Sequence, residues 1–117
     1  MSDLADLLRA LAARDGIDAV VLVSADGLPI SHVARSACDA DAMAALAVTL
    51  LRSAARLGET ASRGTLSRSV FEYDGGLLVI TLLGDGNVLL VVAAAGTDVG
   101  PMLYDLRHQA PALSALL

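Results

Sequence analysis

The side chains of this chain that could do chemistry are two histidines, His32 and His108, a single cysteine, Cys38, and a close pair of aspartates, Asp39 and Asp41. None has the neighbours that would complete a reaction centre. A metal site needs three or four His, Cys or carboxylate ligands. With two distant histidines and one thiol, such a site would have to be finished by carboxylates scattered along the chain. His32 falls in an extended, edge-like segment and reads as solvated. His108 follows Arg107 near the end of the last helix, where a cation complements the helix dipole. Cys38 precedes a long helical pattern, and a helix N-terminus can activate a thiol, but no histidine lies near it in sequence to act as a base. Asp39 and Asp41 sit where a helix needs a cap. A phosphate-binding loop of the GxxxxGK[ST] kind is absent, and the chain has no lysine at all. Gly84-x-Gly86 lies between two strand-like runs and so reads as a hairpin, not as a dinucleotide fingerprint. No catalytic, cofactor-binding or metal-ligating residue is expected, and the chain reads as a binding protein, not an enzyme.

The bulk properties narrow the partner. The net charge is −5 and all eight basic residues are arginine, which argues against a nucleic-acid phosphate backbone as ligand. The lack of lysine, with abundant Ala, Gly and Val, points to a GC-rich bacterial genome. One cysteine excludes an internal disulfide and fits a reducing compartment. The start, Met1-Ser2-Asp3-Leu4, is acidic and has no signal-peptide character. The apolar runs 77–83 and 88–95 are each far short of the ~20 residues that span a bilayer. A soluble, cytoplasmic protein without membrane insertion is expected. Its 117 residues suit one domain, 1–117, whose core must come from Leu, Val, Ile, Met and Ala, since 56% of residues are hydrophobic but only Phe71, Tyr73 and Tyr104 are aromatic.

The elements follow from periodicity. Leu4, Leu7, Leu8 and Leu11 form one helical stripe, capped by Ser2 or Asp3 and ended at Asp15-Gly16. The β-branched run 17–24 is a strand covered on both faces. Asp26-Gly27 turns it into a second strand, 28–33, which Pro29 places at a sheet edge. Asp39 or Asp41 caps a long helix reaching about residue 62, closed by Gly64. A polar strand at 66–73 and two apolar strands, 77–83 and 88–94, follow as a meander through tight Gly turns. A last helix opens at Thr97-Asp98 with Pro101 in its first turn, and Pro111 is expected to break or kink it. The predicted fold is α/β, an α+β sandwich ordered α-β-β-α-β-β-β-α. Its five-stranded antiparallel sheet has the long helix on one face and both terminal helices on the other.

At about 100° per residue the long helix has three stripes. Met43, Leu46, Ala47, Leu50, Ala54 and Leu57 are expected to face the core. Ala44, Val48, Leu51, Ala55, Gly58 and Ser62 form a small, uncharged stripe, expected to meet a second copy of the chain. Ala45, Thr49, Arg52, Arg56, Glu59 and Arg63 form the polar side. The weakly alternating strand 66–73 suits an edge that pairs with its symmetry mate. A homodimer is therefore predicted through Ala44, Val48, Leu51, Ala55, Gly58, Arg68 and Val70, leaving Thr49, Arg52, Arg56 and Glu59 to contact a further partner.

Several segments carry a family likeness: Gly16-Ile17-Asp18-Ala19-Val20-Val21-Leu22-Val23, Asp26-Gly27-Leu28-Pro29-Ile30, Gly76-Leu77-Leu78-Val79, the hairpin 84–89, and Asp98-Val99-Gly100. With the element order, they resemble the roadblock/dynein-light-chain family, including its bacterial branch of gliding-motility GTPase regulators, over essentially the whole chain. The resemblance implies a five-stranded sheet, dimerisation by the third strand and long helix, and binding to a small Ras-like GTPase. In that branch the dimer modulates GTP hydrolysis by reordering the GTPase's own residues, without inserting a catalytic arginine. Activators there carry sequence beyond the core domain, so the resemblance implies binding more directly than activation. The alternative function is a dimeric assembly scaffold for a sensor kinase or larger signalling complex without a GTPase.

Overall fold

The computed structural model describes residues 4–35 and 37–117; the expected capping residues Ser2 and Asp3 lie outside them. Three helices and five strands run in the order α1 (Leu4–Ala12), β1 (Ile17–Val23), β2 (Pro29–Ala34), α2 (Ala40–Thr60), β3 (Arg68–Tyr73), β4 (Gly76–Leu82), β5 (Val88–Ala94) and α3 (Gly100–Ala115). The strands form one antiparallel sheet in the order β2-β1-β5-β4-β3. The two nearly uninterrupted apolar strands, β1 and β5, thus lie inside it, where both faces are covered. Pro29 sits on an edge strand, as its missing N–H requires.

Alternation along the central strands splits the core into two layers. Val20, Leu22, Val79, Leu89 and Val91 meet Leu8 and Leu11 of α1 and Met102, Leu106 and Leu113 of α3. Val21, Val23, Ile80, Val88 and Leu90 meet Ala40, Ala44, Ala47, Val48 and Leu51 of α2. The long helix therefore covers one face and the terminal helices the other, as expected. An ion pair between Arg14 and Asp105 ties the end of α1 to α3.

α2 begins as its sequence requires: the Asp39 carboxylate accepts from the Ala42 N–H at 3.0 Å. It ends at Thr60, two residues before the expected end near 62. Ser62 takes the left-handed conformation with φ +57° and Arg63 N–H donates back to Gly58 O at 2.8 Å, before Gly64 completes the reversal. Arg63 consequently lies past the helix.

Two expectations are corrected. Pro111 does not break α3, which continues to Ala115. One lost backbone bond is offset where the last turn docks: Leu113 is buried, and the Ser114 hydroxyl accepts from Gly84 N–H at 3.0 Å. The stripes of α2 are also largely exchanged, although Ala47 is buried as expected and Met43 and Ala54 are half-buried. Ala44, Val48 and Leu51, expected at a dimer contact, are buried against the chain's own sheet, while Leu46, Leu50 and Leu57, expected in the core, are 63%, 41% and 70% exposed. The cause is the rotation at which the helix packs over the sheet. Gly27, in the β1–β2 turn at φ +84°, lies so close beneath the helix that a Cβ there would stand 3.5 Å from Ala45 Cα. Where α2 passes over this turn its inward residues are Ala44 and Val48, with Leu51 buried one turn further on, while Leu46, Leu50 and Leu57 are turned out to one side.

Candidate interaction surface

The turned-out leucines do not stand alone. Leu46 and Leu50, with Met43, border a groove of roughly 150 Å³ whose other wall is Tyr73 and Leu78 on the β3–β4 hairpin. Phe71 packs from β3 against the same layer, and Tyr73 and Val70 are 54% and 49% exposed. One flank of α2 and the β3 edge thus make a continuous apolar surface. β3 keeps an unbroken register with β4 from Arg68 opposite Thr81 to Tyr73 opposite Gly76, so its outer edge is a straight run without bulge or proline. Arg68 Nε donates to Thr81 Oγ1 at 3.2 Å, which holds the guanidinium along the sheet. Of the residues expected at a dimer contact, Arg68 and Val70 lie on the β3 edge strand but on its face away from α2, opposite Thr81 and Val79; Ala55 and Gly58 are half-buried on the helix, and Ala44, Val48 and Leu51 are inside.

The polar stripe lies on the other flank. Thr49, Arg52, Arg56 and Glu59 are all exposed, and the Thr49 hydroxyl is spent on Ala45 O at 3.0 Å. The ion pairs among the described residues are Arg9 with Asp6 and Arg14 with Asp105, so Arg52 and Arg56 keep their charge unpaired on an acidic molecule. Beside Arg52 the helix overhangs a hollow of roughly 260 Å³, floored by Leu82, Val88 and Gly86 and closed by Ala25.

The remaining chemical candidates are not gathered. His32 is exposed on the β2 edge, Cys38 is half-buried before α2, and His108 Nδ1 lies 2.9 Å from Tyr104 O with the two ring centroids 4.5 Å apart and the planes tilted by 41°. Gly84–Gly86 forms a 3-10 turn between β4 and β5, the hairpin its position suggested. Among the described residues no cluster of His, Cys, Asp or Glu could hold a metal ion, and no helix is long and apolar enough to cross a membrane.

The family model for the Roadblock/LC7 domain matches residues 3–93, most of the chain. The chain belongs to the Roadblock/LC7 family. The crystal structure of a Roadblock/LC7 domain from Streptomyces avermitilis is 30% identical, superposes with a TM-score of 0.86, and the match covers 97% of each chain. MglB of Myxococcus xanthus, at 18% identity, gives the same TM-score over 97% of this chain and 93% of its own, a likeness of fold. An uncharacterised protein of Methanocaldococcus jannaschii is 26% identical over 110 residues, covering 94% of this chain and 96% of that one. α3 lies beyond the span of the family model, yet the structural neighbours include it.

Leu46, Leu50, Leu57 and Tyr73 are surface residues that hydropathy alone had assigned to the core or left unassigned. The only signal for the three leucines was size, and a weak one: the stripe that faces the sheet is mostly alanine, valine and glycine but also buries Leu51.

Proposed function

We propose that residues 1–117 form a single roadblock domain that acts as a non-catalytic, cytoplasmic homodimer and binds a small Ras-like GTPase, modulating its GTP hydrolysis. The carrying observation is the pairing of three exposed leucines on α2 with an unguarded β3 edge on the same side of the molecule. Antiparallel pairing of β3 with a second β3 satisfies the edge hydrogen bonds and brings the two leucine flanks together about a two-fold axis. Each leucine removed from water contributes roughly 1 kcal/mol or more. The Arg52 and Arg56 flanks remain outward, and two unpaired guanidinium groups on an acidic dimer suit a partner with a carboxylate-rich surface.

Light scattering at micromolar concentration should give twice the 11.9 kDa chain mass; a monomer there overturns the dimer. The GTPase reading is tested with a Ras-like GTPase encoded beside this gene, loaded with GTP or GDP. Binding of either form supports it, and binding of neither overturns it. A turnover assay on the bound pair then reads whether hydrolysis changes.

A further inference from the structure

The hollow beneath Arg52 is a feature that dimer formation does not use. It lies on the flank of α2 away from Leu46, Leu50 and Leu57, and it is complete within one chain: Val48, Leu51 and Ala55 form its roof, and Leu82 and Val88 its floor. Its end wall is fixed by a tight contact between two turns, since a Cβ on Gly86 would lie 3.1 Å from the Ala25 Cβ. The volume, roughly 260 Å³, falls below the roughly 300 Å³ at which small-molecule sites begin and suits one or two apolar side chains. The walls offer aliphatic carbon, with no histidine, cysteine or carboxylate among the lining residues to fix a cofactor. At the rim stands Arg52, whose guanidinium has no ion-pair partner among the described residues.

We propose that this hollow is the anchoring point of the partner contact: it receives an apolar side chain of the GTPase surface, and Arg52 pairs with a carboxylate next to that side chain. The assignment rests on the GTPase reading above and names the chemistry of its contact. An apolar anchor in a desolvated pocket, ringed by a charge that excludes the wrong partner, is the arrangement in which a few residues carry most of the binding energy. Charge complementarity selects the occupant's second half, since Arg52, with Arg56 one turn along, is a cation unpaired among the described residues and favours an acidic neighbour. Because the pocket and the leucine flank lie on different sides of one helix, each protomer of the dimer presents its own copy.

Binding of the same GTPase, measured by calorimetry or interferometry, tests the assignment with three variants. Ala55→Leu fills the hollow from a half-buried position, Arg52→Glu reverses the rim charge, and Arg107→Glu on the exposed side of α3 reverses a charge elsewhere. Ala55→Leu and Arg52→Glu should each weaken binding about thirtyfold, and Arg107→Glu should leave it unchanged. Circular dichroism and light scattering confirm that each variant is folded and dimeric. If Ala55→Leu does not fold, Arg52→Glu and Ala25→Leu, which closes the hollow from a turn, carry the test. Full-affinity binding by the filled and charge-reversed variants overturns the inference while leaving the GTPase reading intact. Equal weakening by Arg107→Glu also overturns it, since a general charge effect then suffices. No binding by the unmodified protein overturns the GTPase reading, and this inference with it.

Discussion

The two edges of the sheet are built to opposite specifications. β2 opens on a proline, and its pairing with β1 slips at Leu22–Val23, so that Val23 faces Pro29 and Ile30 is left as the extra residue. Both devices spoil a strand as a template for further pairing. Past its far end, Arg35 is folded back, with its guanidinium donating to Ala12 O at 3.3 Å and Arg14 O at 3.4 Å. β3 has none of this protection: six residues in continuous register, no proline, no bulge, and a row of leucines beside it on α2. An edge left this straight, beside an exposed leucine flank, invites pairing unless something covers it. The contrast makes β3, not β2, the edge on which the proposed dimer depends.

The comparison can be broken most severely on the β3 side. Leu46→Glu with Leu50→Glu places four carboxylates of a two-fold dimer in the apolar seam, so light scattering should show the mass halve at micromolar concentration with the circular dichroism spectrum kept. An unchanged mass means that the leucines face water in the assembly too. Next in size is the inner stripe. Leu51→Ala, measured by urea unfolding in that monomeric background, should cost about 3 kcal/mol, whereas Leu57→Ala there should cost less than about 1 kcal/mol. Equal costs would undo the exchange of stripes.

Smaller effects sharpen the β2 side. Gly27→Ala forces a side chain into a positive-φ turn beneath Ala45 and should lower stability by roughly 1–2 kcal/mol. Pro29→Val should change stability by less than about 0.5 kcal/mol, but should introduce concentration-dependent association beyond the dimer, visible by sedimentation. If it does not, the bulge alone guards that edge.

Much of the fold was legible because its signals are local. Asp-Gly and Gly-Gly turns, a proline at a strand start, and strands apolar on both faces fix the number of strands and which of them lie at the edges. The stripes of α2 were not legible, because both are apolar and periodicity cannot say which one meets the sheet. That choice depends on how the helix is rotated as it packs over the sheet and the β1–β2 turn, a tertiary matter in which Gly27 lies against Ala44, Ala45 and Val48. Pro111 misled for a similar reason: the anchors of the turn that follows it, Leu113 in the core and Ser114 at Gly84, lie across the fold. The exposure of Arg52 and Arg56 was legible directly, since a charged stripe on a helix has nowhere to go but outward. The hollow beside them was invisible, being assembled from α2 and the turns that follow β1 and β4.

The two flanks of α2 also bear on how such a domain can change over generations. Residues that would join two copies, Leu46, Leu50 and Leu57, and residues left for another protein, Arg52 and Arg56, occupy different sides of the same twenty-one-residue helix and share no neighbour among the pockets that flank it. A substitution on the arginine side can therefore retune or abandon one client while the assembly that displays it is inherited intact. Descendants of a single gene duplication can in this way diverge in what they recognise long before they diverge in how they are put together.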